Sequence, residues 1–345
     1  MIDNNSMVQR LTALWALSEA AFGGVLHAFQ IPFTGLFINA ASVIFIVLIG
    51  YYGKNKSALL KATLVVLIVK ATVSPHTPIN AYFAVTIQGL LGWVLFRSRK
   101  FLTISAVTLG LVTMLQSALQ RIIVLTIIFG KNLWESIDIF GNYVIGQVSF
   151  AGFNDSHLNI SLWLIGGYII IHLIAGVFVG IFSAKIPGWV EEEMENNRDI
   201  PISINEQLQV KSKSQKKRRK WFLKPSGVIV ILLAVSIIVL TYVFPQFEDS
   251  QGKMAIVMIV RSMIIMFLWY TIAGPLLRKV YYRYLAKKKS KYSEEVEQSV
   301  RIMPLLKTMV VYSWTLSKNY PGLSKFKHFI TILIVSLFTV EIPGE

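Results

Sequence analysis

Long apolar runs separated by shorter polar gaps dominate this chain. Eight runs lie at 11–29, 35–52, 58–73, 81–96, 101–128, 157–184, 226–244 and 254–277. Runs of about 16 to 28 residues are long enough for a helix to cross a hydrocarbon core of about 30 Å. The pattern therefore predicts an all-α, polytopic integral membrane protein. A shorter apolar run at 329–340 is compatible with a ninth span and with a buried or re-entrant helix.

The basic residues fall in alternate gaps between these runs. Lys54 and Lys56 fill the first basic gap, and the others lie at 97–100, 185–220 and 278–291, whereas the gaps at 30–34, 74–80, 132–156 and 245–252 contain no Lys or Arg. Positive charge is retained in cytoplasmic connections. The pattern predicts a multi-pass protein of the cell (inner) membrane with a cytoplasmic N-terminus. It also explains most of the net charge of +16, so we expect membrane lipids and not nucleic acid as partners of these cations.

The composition changes once along the chain. Residues 1–187 contain six spans with short connections and are predicted to form a six-helix solute-binding bundle. Residues 188–224 are polar and are predicted to form a charged cytoplasmic linker. Residues 225–345 are predicted to form a smaller membrane unit of two or three helices. Within it, 300–314 has an apolar helical stripe, which indicates a helix at the cytoplasmic interface or docked on a partner protein.

Polar side chains lie mainly in the halves of the spans that are predicted to be outward. The predicted ligand-binding residues are His27, Asn39, Lys70, Asn80, Gln88, Gln116, Gln120 and Arg121. Lys70 and Arg121 have no evident acidic partner at their depth, because Glu19 is assigned to the cytoplasmic half. A carboxylate or phosphate group of a ligand would neutralise them. The alternatives are that Lys70 extends to the headgroups and that the amides tie helices together.

Small residues recur at four-residue spacing on two of the spans. Ala13, Ala16, Ala20 and Gly24 share one face of the first span, and Gly176, Gly180 and Ala184 share one face of the sixth. Such faces allow helix backbones to approach closely. They serve packing within one chain or docking of another membrane subunit, and we predict subunit docking for Ala16, Ala20 and Gly24.

The N-terminal part of the chain resembles the substrate-binding S components of energy-coupling-factor vitamin transporters. The resemblance rests on the first six spans, on the segment Ala16-Leu17-Ser18-Glu19-Ala20 and on the three connections without cations. The resemblance covers about residues 8–187. It implies that the outer connections close over a small, anionic, vitamin-like metabolite. It also implies that the alanine face meets a transmembrane coupling subunit and that a separate ATPase powers uptake.

Several motifs are absent from the sequence. It has no cysteine, no G-x-x-x-x-G-K-[ST] loop, no H-E-x-x-H segment and no paired carboxylates within the spans. We therefore predict a protein that is not an enzyme and has no catalytic residues, no cofactor and no metal site. A membrane enzyme for a lipid or isoprenoid substrate is the rival hypothesis, and its clustered candidate residues are Glu135, Asp138, Asp155 and His157. A third hypothesis is a purely structural or assembly subunit.

Overall fold

The protein is described from a computed structural model that covers residues 4–22, 34–55, 57–74, 77–97, 101–148, 158–196 and 250–339. These residues form helices joined by short connections, with no strand among them. The helices are α1 (Asn4–Leu17), α2 (Thr34–Tyr52), α3 (Ala58–Val73), α4 (Ile79–Leu95), α5 (Leu102–Phe129), α6 (Asn132–Val148), α7 (Ile160–Asn196), α8 (Ser250–Leu268), α9 (Gly274–Lys289), α10 (Ser293–Ser317) and α11 (Gly322–Thr339). A π-helical segment, Ser18–Phe22, follows α1, and a second, Trp269–Ala273, joins α8 to α9.

The prediction of an all-α, polytopic membrane protein is confirmed. Five stretches among the described residues are long and apolar enough to cross a membrane: Gly35–Tyr52, Leu102–Phe129, Ile160–Glu195, Ala255–Lys289 and Gly322–Thr339. The last of these covers the run whose nature the sequence left open. Several predicted segments lie outside the described residues. They are the span at 226–244, most of the linker at 188–224 and residues 340–345 of the C-terminal unit.

Three predicted connections are helical in the structure. The predicted outer connection at 132–156 contains α6, which ends at Val148. The sixth span continues as α7 through Lys185 to Asn196, and it includes the acidic residues that were assigned to the linker. The basic segment after residue 277 is α9, which continues the preceding helix to Lys289. Charged residues end an apolar run in the sequence without ending the helix.

The described residues group into two compact units, while the predicted three-part division of the chain stays a prediction. One unit draws on Met1–Ile122, Leu164–Asn205 and Tyr270–Glu345, and the other on Ile123–Trp163 and Glu206–Trp269. The core of the first unit surrounds α1, which packs against α2, α3 and α10. Met7, Leu11 and Trp15 of α1 are fully buried there.

Helices α2, α3, α4 and α5 run alternately up and down in this first unit. Phe96, directly after α4, packs over Gly50 near the end of α2, where an added Cβ would lie 2.7 Å from the Phe96 ring. Ser105 of α5 donates a hydrogen bond to the carbonyl of Leu95 at 3.0 Å. The ends of α2 and α4 and the starts of α3 and α5 therefore meet at one end of the bundle. We call it the basic end, because it carries Lys54 and Arg97.

The C-terminal helices pack against the N-terminal bundle. The predicted apolar stripe of α10 is buried at Ile302, Leu306 and Met309. Glu295 at the start of α10 forms an ion pair with Lys61 of α3 at 2.5 Å. Arg10, only 1% exposed, donates a hydrogen bond to the carbonyl of Leu337 in α11 at 2.6 Å. Thus α10 docks on helices of the same chain.

In the second unit, α6 packs on α8. Trp134 at the start of α6 donates its indole N–H to the hydroxyl of Thr126 at 3.0 Å. Gly130 ends α5 with a φ of 79°, a left-handed conformation that favours glycine. The guanidinium of Arg261 lies against it, so that an added Cβ would lie 2.8 Å from Nη1. The left-handed conformation is therefore the reason why the turn between α5 and α6 favours glycine, since the end of the Arg261 side chain can move aside.

Candidate functional site

A buried ion pair lies inside the first unit. Nζ of Lys70 donates to Oε2 of Glu19 at 2.5 Å, and both side chains are 3% exposed. Oγ of Ser42 donates to the other carboxylate oxygen of Glu19 at 2.6 Å, and it accepts the indole N–H of Trp15 at 3.2 Å. Each oxygen of the Glu19 carboxylate therefore has a partner in the low-dielectric interior, where an unpaired charge is costly.

The prediction that Lys70 has no acidic partner is wrong. It assumed that the first span begins near residue 11, which assigned Glu19 to the cytoplasmic half. The helix begins at Asn4 instead, and it packs against α3 so that Glu19 and Lys70 lie at the same level. Glu19 also lies in the π-helical segment Ser18–Phe22. Such segments often occur at functional sites, and their position is not readable from hydrophobic periodicity.

Two predicted ligand-binding amides contact each other next to this ion pair. Nε2 of Gln88 donates to Oδ1 of Asn39 at 2.9 Å. Gln88 is 1% exposed and Asn39 is 7% exposed. Asn39 lies one helical turn from Ser42 on α2. The Asn39–Gln88 pair and the Glu19–Lys70 pair are therefore neighbours in the interior of the first unit. We call Glu19, Asn39, Ser42, Lys70 and Gln88 the polar layer.

The polar layer contains an unused hydrogen-bond acceptor. Oε1 of Gln88 is buried and has no hydrogen-bond partner among the described residues. Buried polar atoms without partners are rare and costly, so each one calls for an explanation. A donor group of a bound ligand or an ordered water would satisfy Gln88.

Tyrosines join the polar layer to α9. Nζ of Lys70 lies 5.9 Å from the centroid of the Tyr82 ring. The hydroxyl of Tyr82 contacts that of Tyr282 at 3.2 Å, and the hydroxyl of Tyr281 contacts that of Thr86 at 3.1 Å. These contacts explain why Tyr82 is buried, and they fasten α9 to α4. The sequence gives no periodic signal that pairs these tyrosines.

The remaining predicted residues of α5 form a second polar group. Nε2 of Gln116 donates to Oε1 of Gln120 at 2.8 Å, and Arg121 follows with an exposed side chain and no ion pair within the described chain. No hydrogen bond or ion pair of the described residues joins this group to the polar layer. A helix contact lies between them, because an added Cβ on Gly35 of α2 would lie 3.0 Å from Oγ of Ser117.

The small-residue faces are used for packing within the chain. Ala16 is fully buried and Ala20 is 8% exposed, among helices of the same unit. On α7, a Cβ on Gly180 would lie 2.5 Å from Cα of Val107, and one on Gly176 would lie 2.8 Å from the carbonyl oxygen of Gly110. Packing within the chain accounts for these residues. It was one of the two interpretations that the sequence allowed. The docking role predicted for Ala16 and Ala20 has no exposed surface in this unit to support it.

The carboxylates proposed for the rival enzyme have a different setting. Oδ1 of Asp138 accepts the backbone N–H of Ser161 at 2.7 Å, and Oδ2 accepts the Ser161 hydroxyl at 2.8 Å. Asp138 therefore caps the N-terminus of α7, as short acidic side chains commonly do. Glu135 lies in the first turn of α6. Asp155 and His157 lie outside the described residues.

Three predicted residues remain to be placed. Asn80 is half-buried in the first turn of α4, whereas His27 and Gly24 lie outside the described residues. Within the part of the chain that the structure covers, no cluster of His, Asp or Glu could hold a metal ion. No family model, curated protein or solved structure matches this chain.

Proposed function

We propose that this membrane protein is the solute-binding subunit of an uptake system, as its resemblance to energy-coupling-factor S components implies. The observation that carries the proposal is the buried polar layer, with its unused acceptor on Gln88. Polar and ionisable groups inside a membrane bundle are costly, and they commonly mark substrate or ion pathways. Energy would come from a separate ATPase through a membrane coupling subunit.

The charge distribution narrows the solute that we propose. Glu19 neutralises Lys70, so the polar layer itself has no net charge. Of the two cations that the sequence selected, Arg121 is therefore the one that we propose to bind a carboxylate or phosphate group, and its planar guanidinium suits a bidentate contact. The solute that we propose has one anionic group for Arg121 and hydrogen-bonding groups for Asn39 and Gln88.

The spacing of these groups limits the length of the solute. Gly35 and Ser117 mark the contact between the antiparallel helices α2 and α5. Asn39 lies four residues beyond this contact on α2, and Arg121 lies four residues beyond it on α5, in the opposite direction. Each step of four residues spans about 6 Å, which gives an axial separation of about 12 Å. An elongated metabolite of vitamin size would reach both groups.

Ligand binding to the purified full-length protein tests the proposal. A panel of monoanionic and dianionic metabolites is screened for a rise in the unfolding temperature, and each hit is measured by calorimetric titration. Arg121→Gln is expected to weaken binding by about tenfold to a hundredfold, because a charge-assisted contact contributes about 1.5 to 3 kcal/mol.

The matched control is Lys131→Gln, which removes another exposed cation shortly after the end of α5. It should leave the affinity unchanged. Equal affinities of Arg121→Gln and the unmodified protein for every hit would contradict the proposed site. A separate ATPase that co-purifies with the chain would support the wider assignment, and uptake that persists without any ATP source would contradict it.

The alanine face bears on the partner that we propose. Because Ala16 is buried among helices of the same chain, we propose that a separate coupling subunit contacts a surface other than Ala16.

A further inference from the structure

A cavity of about 290 Å³ lies at the basic end of the bundle, where α2 and α4 end and α3 begins. Its wall includes Lys54, Asn55 and Arg97, together with the aromatic rings of Trp93 and Phe96. The polar layer lies further along the bundle, around Lys70 on α3, and shares no residue with this cavity. The cavity is therefore separate from the proposed solute site.

The polar side of the cavity is built from nitrogen donors. Lys54 and Arg97 are exposed, and neither forms an ion pair within the described chain. Oδ1 of Asn55 accepts hydrogen bonds from the backbone N–H and the hydroxyl of Ser57, at 3.3 and 3.2 Å. These bonds use the oxygen of Asn55 and leave its amide nitrogen to donate.

Among the described residues, no carboxylate lines the cavity. Glu191 lies near the end of α2, but it accepts the hydroxyl of Tyr51 at 2.9 Å and is not part of the cavity wall. Two cations that face one cavity repel each other, and an anion between them removes that repulsion. An oxyanion with several acceptor oxygens can bind both cations and the amide nitrogen at once.

The other side of the cavity is apolar and shaped by glycine. Gly50 leaves room for the ring of Phe96, which is 9% exposed and packs against it. Trp93 stands beside it with an amphipathic ring of the kind that is enriched at membrane interfaces. A ligand with a charged head and an adjoining apolar or ring portion matches both sides.

We propose that this cavity binds a phosphate group through Lys54, Arg97 and Asn55. Two sources can supply it: the headgroup of an anionic lipid, which accumulates where basic residues meet a membrane, and a soluble phosphate compound. The phosphate oxygens accept hydrogen bonds from the ammonium, the guanidinium and the amide. The binding involves no covalent step.

The test uses the full-length protein in phosphatidylcholine nanodiscs, in two arms. The lipid arm adds phosphatidic acid to the nanodiscs and counts bound lipid by native mass spectrometry. The soluble arm adds inorganic phosphate or pyrophosphate and measures the unfolding temperature. Binding in the lipid arm alone identifies a headgroup, and binding in the soluble arm alone identifies a free phosphate compound.

The variants decide whether the binding belongs to this cavity. We expect Lys54→Gln combined with Arg97→Gln to weaken binding at least about tenfold, a loss of about 1.4 kcal/mol. The matched control, Lys287→Gln with Lys288→Gln, removes the same charge from the end of α9 and should retain the affinity. Lys54→Arg with Arg97→Lys preserves the charge and should also bind. If the neutral pair fails to fold, the single variants replace it.

Two results would overturn the proposal. One is an equal loss of affinity in the cavity pair and the control pair, which would mean diffuse attraction to the basic end. The other is the absence of binding in both arms. Neither result affects the Arg121 test, because the solute site uses different residues.

Discussion

Removal of one partner of the Glu19–Lys70 ion pair should destabilise the protein strongly, whereas removal of both should not. Glu19→Leu leaves a buried ammonium without a counter-charge, and Lys70→Met leaves a carboxylate whose remaining side-chain partner is Ser42. The double variant Glu19→Leu/Lys70→Met leaves neither charge. The contrast between single and double variants isolates the energy of the pair from the energy of the packing.

The magnitude follows from the distance and the burial. At a separation of 2.5 Å and an effective dielectric constant of about 20, two unit charges attract by about 6 to 7 kcal/mol. Desolvation costs several kcal/mol for each ion, so the pair contributes little relative to two apolar side chains. Each single variant should therefore lose about 3 to 5 kcal/mol, and the double variant less than about 2 kcal/mol.

Reversible unfolding of the protein in bicelles measures these free energies for the four members of the cycle. The coupling energy should favour the paired state by at least about 4 kcal/mol. The double variant is the control for packing, because its two apolar side chains have volumes similar to those that they replace. Additive effects of the two single substitutions would refute the ion pair.

Three further predictions follow from other contacts. Gly180→Ala should destabilise the protein by about 1 to 3 kcal/mol, because the added Cβ meets the backbone of α5. The control Gly167→Ala, whose Cβ meets nothing within 4 Å, should be neutral or slightly stabilising. Equal effects of the two substitutions on the free energy of unfolding would contradict the packing of α7 on α5. Asp138→Ala should remove the cap of α7 and cost about 1 kcal/mol, with solute binding retained in calorimetric titration; loss of function at unchanged stability would favour the rival enzyme. Burial raises the pKa of the Glu295 carboxyl, but hydrogen bonds from Lys61 and the backbone, with the charge of Lys61, hold it below its usual value. The stability that this ion pair contributes is therefore present above about pH 4.3 and is lost as the pH falls through the lowered pKa. Glu295→Gln should cost no more than about 1 kcal/mol at neutral pH, and it should reduce the fall of the unfolding free energy with acid. An unchanged pH dependence of the unfolding free energy would contradict the role of the Glu295–Lys61 pair.

The sequence predicted the helices well, because hydrophobic length determines where a chain can cross a membrane. Runs at 58–73 and 101–128 became α3 and α5 almost residue for residue. The ends of the helices were predicted less well. Lys185 and the carboxylates after it end an apolar run, but their backbone continues the helix to Asn196.

The candidate site was predicted in part. Asn39 and Gln88 were both selected, and they contact each other. The partner of Lys70 was missed, because it depends on where α1 begins and on the π-helical segment around Glu19. The tertiary contact of Arg10 with the carbonyl of Leu337 was also missed. No local pattern links residues so distant in the sequence.

We propose that the solute reaches the polar layer from the end of the bundle opposite the basic end, because the sequence predicts that this end faces outward. The natural chain has no cysteine, so Gln120→Cys supplies a single thiol beside Arg121, and Lys54→Cys supplies one at the basic end. A membrane-impermeant maleimide should label Gln120→Cys in right-side-out vesicles and Lys54→Cys in inside-out vesicles. A metabolite that bound in the screen should slow the labelling of Gln120→Cys and leave the labelling of Lys54→Cys unchanged. Labelling of both thiols from the same side, or a Gln120→Cys rate that the bound metabolite leaves unchanged, would contradict the account.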